Sequence, residues 1–198
     1  MKKTIIALIF VGMIVLAGGV TYFVYSFHWL PEGTMPLATS ENNPPSVAGQ
    51  DIGIPVRLTI PAIKVDAAVV QVGLAKDGTV GVPDGPYETA WFKLGARPGQ
   101  QGSAIITGHF GEWRSGAHSV FDNLVALKKG DVVYVKDNNG KVISFVVIDM
   151  QTYDSDQSVP QVFNKVDGNY LNLITCNGDW IQSQSTFTKR LVIFTKEI

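Results

Sequence analysis

A mostly β fold, closed as a barrel or stacked as a sandwich, is predicted for the main domain by three observations. Short β-branched runs recur between Val56 and Thr195. Gly and Pro punctuate them, as in the segments 81–86 and 95–102. Long helical periodicity is absent outside the N-terminal apolar segment, so several short strands must share one core.

The elements follow in chain order. Residues 1–3, Met-Lys-Lys, precede an uncharged apolar run at 4–27. At about 1.5 Å of rise per residue this run spans roughly 36 Å as a helix, enough to cross a hydrocarbon core of about 30 Å. We read it as a transmembrane anchor, with Tyr22, Tyr25 and Trp29 at the outer interface and the lysines keeping the N-terminus cytoplasmic. The competing reading is a cleaved signal peptide, which a basic start and the small residues at 17–19 also suit. Residues 28–52 read as a flexible stalk: ten of the 22 residues from 31 to 52 are Pro, Gly, Ser or Thr, a composition that buries no core. Residues 53–198 then form one compact domain.

Within that domain the strand candidates are 56–60 (VRLTI), 67–74 (AAVVQVGL), 103–107 (SAIIT), 132–137 (VVYVKD), 141–150 (KVISFVVIDM), 170–175 (YLNLIT) and 190–195 (RLVIFT). The fourth and fifth form a hairpin around Asn139-Gly140, residues that tolerate the positive φ of a primed turn. A short helix is expected in VFDNLVALKKGD, 120–131, where Phe121, Leu124, Val125 and Leu127 share a face and Gly130 ends it. Net charge is −1 with both signs scattered, which argues against a nucleic-acid groove or a polybasic lipid-binding face.

Chemistry centres on the single cysteine, Cys176, in LITCNGD. Outside the membrane an unpaired thiol is either buried as a small hydrophobe or used. The turn composition of Asn177-Gly178-Asp179 ends the strand and brings Cys176 near solvent, where rigid scaffolds present chemistry. A nucleophilic thiol needs a base, and of the three histidines His28 belongs to the membrane boundary and His118 to a polar loop. His109 ends SAIIT and enters the turn GHFGEW, so a second strand end carries a titratable group. Arg190, opening RLVIFT, is the candidate donor to an oxyanion, against the alternative of a solvated strand-edge arginine.

Taken together, LTIPAIKVDAAVV, GTVGVP, AWFKLGARPGQQGSAIITGH, FDNLVALKKGD, LITC and RLVIF occur in the order expected of the sortases, the membrane-anchored cysteine transpeptidases of Gram-positive bacteria, and the chain resembles that family along most of its domain. The family's common Thr two residues before Ile174 is here Asn172. The anchor and compact domain resemble classes D, E and F, with class F preferred.

The resemblance implies a closed eight-stranded β-barrel and a catalytic set of His109, Cys176 and Arg190. It also implies attack by Cys176 on an LPxTG-like sorting signal, a thioester, and its resolution by an amine of a peptidoglycan precursor or a pilin. The catalytic domain is then extracellular on a single-pass membrane anchor. Thr175 is a candidate lining residue of the substrate groove, equally readable as an ordinary strand residue. Trp113 and Trp180 either pack against a Leu-Pro segment or close the barrel rim. Asp154 and Asp156 resemble one arm of a calcium site, but six or more oxygens are needed; no metal or other cofactor is assigned. Two other readings are an extracellular cysteine peptidase, distinguished by its indifference to added amines, and a tethered binding domain, distinguished by surviving Cys176→Ala.

Overall fold

The computed structural model describes residues 51–198 except 114 and 115. The expected tail and anchor, and all of the stalk but residues 51 and 52, fall outside the described residues. Among the described residues no helix is long and apolar enough to cross a membrane.

Eight strands close into a barrel: β1 (Pro55–Ile60), β2 (Val65–Val72), β3 (Thr89–Phe92), β4 (Gly102–Gly108), β5 (Val132–Asp137), β6 (Val142–Asp154), β7 (Asn169–Ile181) and β8 (Thr186–Glu197). Their order around the barrel is β1-β2-β3-β4-β7-β8-β6-β5, with β5 pairing back onto β1. The β2–β3 and β4–β7 pairs are parallel and the rest antiparallel. The barrel alternative therefore holds over the sandwich, and closure removes the sheet edges that an open sheet would expose.

Alternation along the strands sorts side chains onto two faces. Ala104 and Ile106 of β4, Leu171 and Leu173 of β7, and Leu191 and Ile193 of β8 fill the interior with Leu58, Val133 and Phe145. The opposite face of the same strands is also buried, where Ile105, Val192 and Phe194 pack with Val162. Strands covered on both faces are written as continuous apolar runs, which is why AII and RLVIF carry no polar alternation.

Four local expectations are corrected. The strand β3 has no counterpart among the sequence-derived candidates; it is four residues long and follows directly on the turn-rich segment 81–88. The helix expected at 120–131 is a single 3-10 turn, Leu124–Ala126. Phe121, Leu124 and Leu127 are buried at a spacing of three, the 3-10 period, and Val125 points to solvent. At the β5–β6 turn only Gly140 has positive φ, so Asn139 does not adopt the primed geometry; instead the Asp137 carboxylate accepts from the backbone N–H groups of Asn139 and Lys141. Finally, Asn177-Gly178-Asp179 does not end β7. It forms a bulge after which pairing with β8 resumes at Trp180↔Phe187 and continues to Ile181↔Thr186. Gly178, at φ +78°, makes the bulge, and a glycine between Asn and Asp gives the same sequence signal for a bulge as for a turn.

Candidate active site

Cys176 and Arg190 face each other across the β7–β8 ladder as direct cross-strand partners. Directly opposed residues project to the same face, so the pairing itself puts thiol and guanidinium side by side. The shared face is the outer one, where the next pair on that face is Ile174 and Val192. Cys176 is half-buried and unpaired. Burial pushes its thiol up from the ordinary value, and the neighbouring Arg190 charge acts in the opposite direction with smaller effect.

His109 follows the last residue of β4, the strand that lies parallel to β7 in the register Thr107↔Ile174. Its ring is held from two sides: Nε2 lies 2.7 Å from the carbonyl oxygen of Pro83, and the indole of Trp113 packs against it at 4.7 Å between centroids and 57° between planes. A carbonyl oxygen only accepts, so Nε2 carries hydrogen in both charge states of the ring. Nδ1 is therefore the atom that gains and loses the proton. The backbone is braced as well. The His109 carbonyl accepts from Phe121 N–H at 3.0 Å, and the Asp122 carboxylate accepts from the N–H groups of Gly111 at 2.8 Å and Ser119 at 3.0 Å.

Thr175 is 3 % exposed, and its hydroxyl donates to the Gly108 carbonyl at 2.8 Å. It borders the groove, but its side chain is committed to joining the nucleophile's strand to the residue before His109. Trp180 packs edge-to-face on Phe187 at 5.1 Å near the hairpin tip, and Trp113 stacks on His109 itself. Asp154 pairs with Lys189. His118 lies on the surface beside Asp122, away from the thiol's strand.

His109, Cys176 and Arg190 open into one groove of about 600 Å³. One wall comes from the β2–β3 connection, with Leu74, Val80 and Val82; the other comes from the β6–β7 connection, with Val159, Val162 and Phe163. Ile174 and Val192 form its floor. Asn172 fixes the second wall, donating from Nδ2 to the Val162 carbonyl at 2.6 Å. An extended peptide carrying apolar side chains suits such a trough, which also presents a thiol, an imidazole and a guanidinium.

Sequence reasoning brought out the three groups by chemical type but missed their supports. Pro83 acts through a backbone carbonyl, which has no signature in sequence. Asp122 lies between buried Phe121 and Leu124, where its carboxylate reads as a solvated loop charge.

Comparison with known proteins agrees with the barrel fold. The family model described as Sortase domain matches residues 58–198. Among solved structures, sortase C-1 from Actinomyces oris is similar at 25% identity, covering 72% of this chain and 71% of that one with a TM-score of 0.57. Sortase C1 from Streptococcus agalactiae matches at 21% identity over 74% and 70% of the two chains, also at a TM-score of 0.57. The lid mutant of sortase A from Corynebacterium diphtheriae matches at 19% identity over 73% and 70%, again at 0.57. No curated protein matches by sequence.

Proposed function

Because this chain belongs to the sortase family of cysteine transpeptidases, we propose that it cleaves an LPxTG-like sorting signal and joins the released acyl group to an amine of the cell wall or of a pilin. The observation that carries the proposal is that Cys176, His109 and Arg190 line one groove with apolar walls.

In this reading the extended signal lies along the outer face of β4, β7 and β8, with its Leu-Pro part against the apolar walls. The Cys176 thiolate adds to the carbonyl carbon of the scissile Thr-Gly bond. The guanidinium of Arg190 donates to the resulting oxyanion, a cation fixed at any working pH. As the tetrahedral intermediate collapses, the C–N bond breaks, His109 gives the proton on Nδ1 to the leaving amine, and the acyl group remains on Sγ as a thioester. An incoming amine then adds to the thioester carbon, returns a proton to His109, and expels the thiolate. Residues 4–27 hold the enzyme in the membrane, 28–52 form the stalk, and 53–198 work outside the cell, where the transferred product stays attached.

The test incubates the protein with LPxTG-like peptides, with and without triglycine, and reads products and covalent adducts by mass spectrometry. An acyl adduct on Cys176 together with a glycine-extended product is expected. Hydrolysis that triglycine leaves unchanged would move the protein to the cysteine peptidases; no adduct with any peptide would reject the substrate class.

A further inference from the structure

Arg190 is held by its own hairpin. Beyond the Cys176↔Arg190 pair, β7 and β8 continue through the bulge to Ile181↔Thr186, so the first residues of β8 lie close to the guanidinium. Nη1 donates to the carbonyl oxygens of Phe187 at 3.0 Å and Lys189 at 2.9 Å, and Nη2 donates to the hydroxyl oxygen of Thr186 at 2.9 Å. A guanidinium carries five N–H bonds in a rigid planar fork. Three are engaged, and because both hydrogens of Nη1 are used, the two that remain sit on Nε and Nη2. Phe187, whose carbonyl is part of the clamp, is fixed in turn by its ring, which packs edge-to-face with Phe110 at 5.4 Å and with Trp180 at 5.1 Å.

We propose that Thr186 is a positioning residue for Arg190: its hydroxyl, with the carbonyls of Phe187 and Lys189, locks the guanidinium plane beside Cys176 at the groove. Of the three acceptors only Thr186 contributes through a side chain, so substitution can remove it and leave the backbone intact. An arginine on a flexible stem otherwise divides its time among many rotamers, and a charge that wanders stabilises neither a thiolate nor an oxyanion well. Placing the lock on the hairpin that also carries Cys176 keeps cation and nucleophile in one rigid unit.

The proposal rests on the role given to Arg190 above, so its test reads Cys176 directly, without a peptide substrate. The rate of iodoacetamide alkylation of Cys176 is measured against pH in the full chain, together with thermal stability. Thr186→Val removes the acceptor and keeps the β-branched shape, and Thr186→Ala removes it in a second context should the first variant fold poorly. Either is expected to slow alkylation near neutral pH by about threefold to tenfold, moving the pH profile to higher pH. Thr186→Ser, which keeps the hydroxyl, stays within about twofold of the parent protein. In an Arg190→Gln background the Thr186 substitutions add nothing, because the group they position is gone. Three results overturn the proposal: unchanged alkylation in Thr186→Val and Thr186→Ala, equal slowing by Thr186→Ser, or the same slowing with Arg190 already replaced. A failure of peptide turnover in the parent protein bears on the substrate reading alone and leaves these outcomes interpretable.

Discussion

The Thr175 hydroxyl donates to the Gly108 carbonyl across 67 positions of sequence, tying the residue before Cys176 to the residue before His109. Both strands are buried there, with Thr175 3 % exposed. Thr175→Val keeps the shape and deletes the donor, leaving a buried carbonyl without its partner. The expected loss is about 1–3 kcal/mol in urea unfolding, with turnover reduced beyond what the unfolded fraction explains. Stability and turnover both matching the parent would mean that the bond does not hold the two strands in place.

Gly108 is a second point of tight fit. A methyl added there would meet the ring of Phe121 at 2.5 and 2.7 Å and Val120 at 2.9 Å. Phe121 is fully buried and its N–H holds the His109 carbonyl. Gly108→Ala should therefore displace Phe121, destabilise the fold by about 1–3 kcal/mol and disturb His109 as well. Comparing thermal melts with kcat at a temperature where the variant is folded separates the two effects.

The Cys176 thiol titrates above its ordinary value of about 8.5, because burial disfavours the thiolate more than Arg190 favours it. The thiolate fraction, and with it the alkylation rate, then rises with pH and reaches its midpoint on the alkaline side. Arg190→Gln removes the one favourable charge, so the midpoint moves further up; Arg190→Lys moves it less. A downward movement on losing the arginine would contradict the geometry.

Neutral His109 should carry its hydrogen on Nε2, since Nε2 faces the Pro83 carbonyl at 2.7 Å. Long-range proton–nitrogen spectra of the imidazole report this directly: Nε2 keeps its hydrogen-bearing shift at high pH, and Nδ1 shows the unprotonated one. His109→Ala should lower kcat by about 10²–10⁴ with little change in KM, as expected for a lost proton carrier. An equal loss after His118→Ala would be unexpected, because that ring is 94% exposed and its contact is with Asp122.

How far sequence carries depends on what each residue does. The strands β1, β2, β4, β5 and β6 show as β-branched runs because their burial is continuous or alternates simply. β3 escapes notice because four residues give too short a period to register. The 3-10 turn at Leu124 mimics a helix, since spacings of three occur in both periods, and only the exposure of Val125 decides between them. Cys176, His109 and Arg190, which line one groove, stand out in the sequence because few residue types carry a thiol, an imidazole or a guanidinium. Their supports do not, because Pro83 and Phe187 act through carbonyl oxygens that every residue possesses. The meeting of His109 with Cys176 depends on a parallel β4–β7 pair, a contact that neither strand announces by itself.

The order of the strands around the barrel also governs when the protein becomes competent. β4 waits for β7, and β7 and β8 come last among the barrel's strands, so a nascent chain with the first six of them complete possesses His109 and neither of its companions. Such distant pairing is slow to form relative to local hairpins. Assembly of the three side chains around one groove is therefore a late step of folding, and a chain interrupted before Arg190 has the thiol without the cation that pairs with it across the ladder. Both walls of the groove, 74–82 and 159–163, precede Cys176 in the chain, so the surfaces that line the groove are synthesised before the thiol that opens into it.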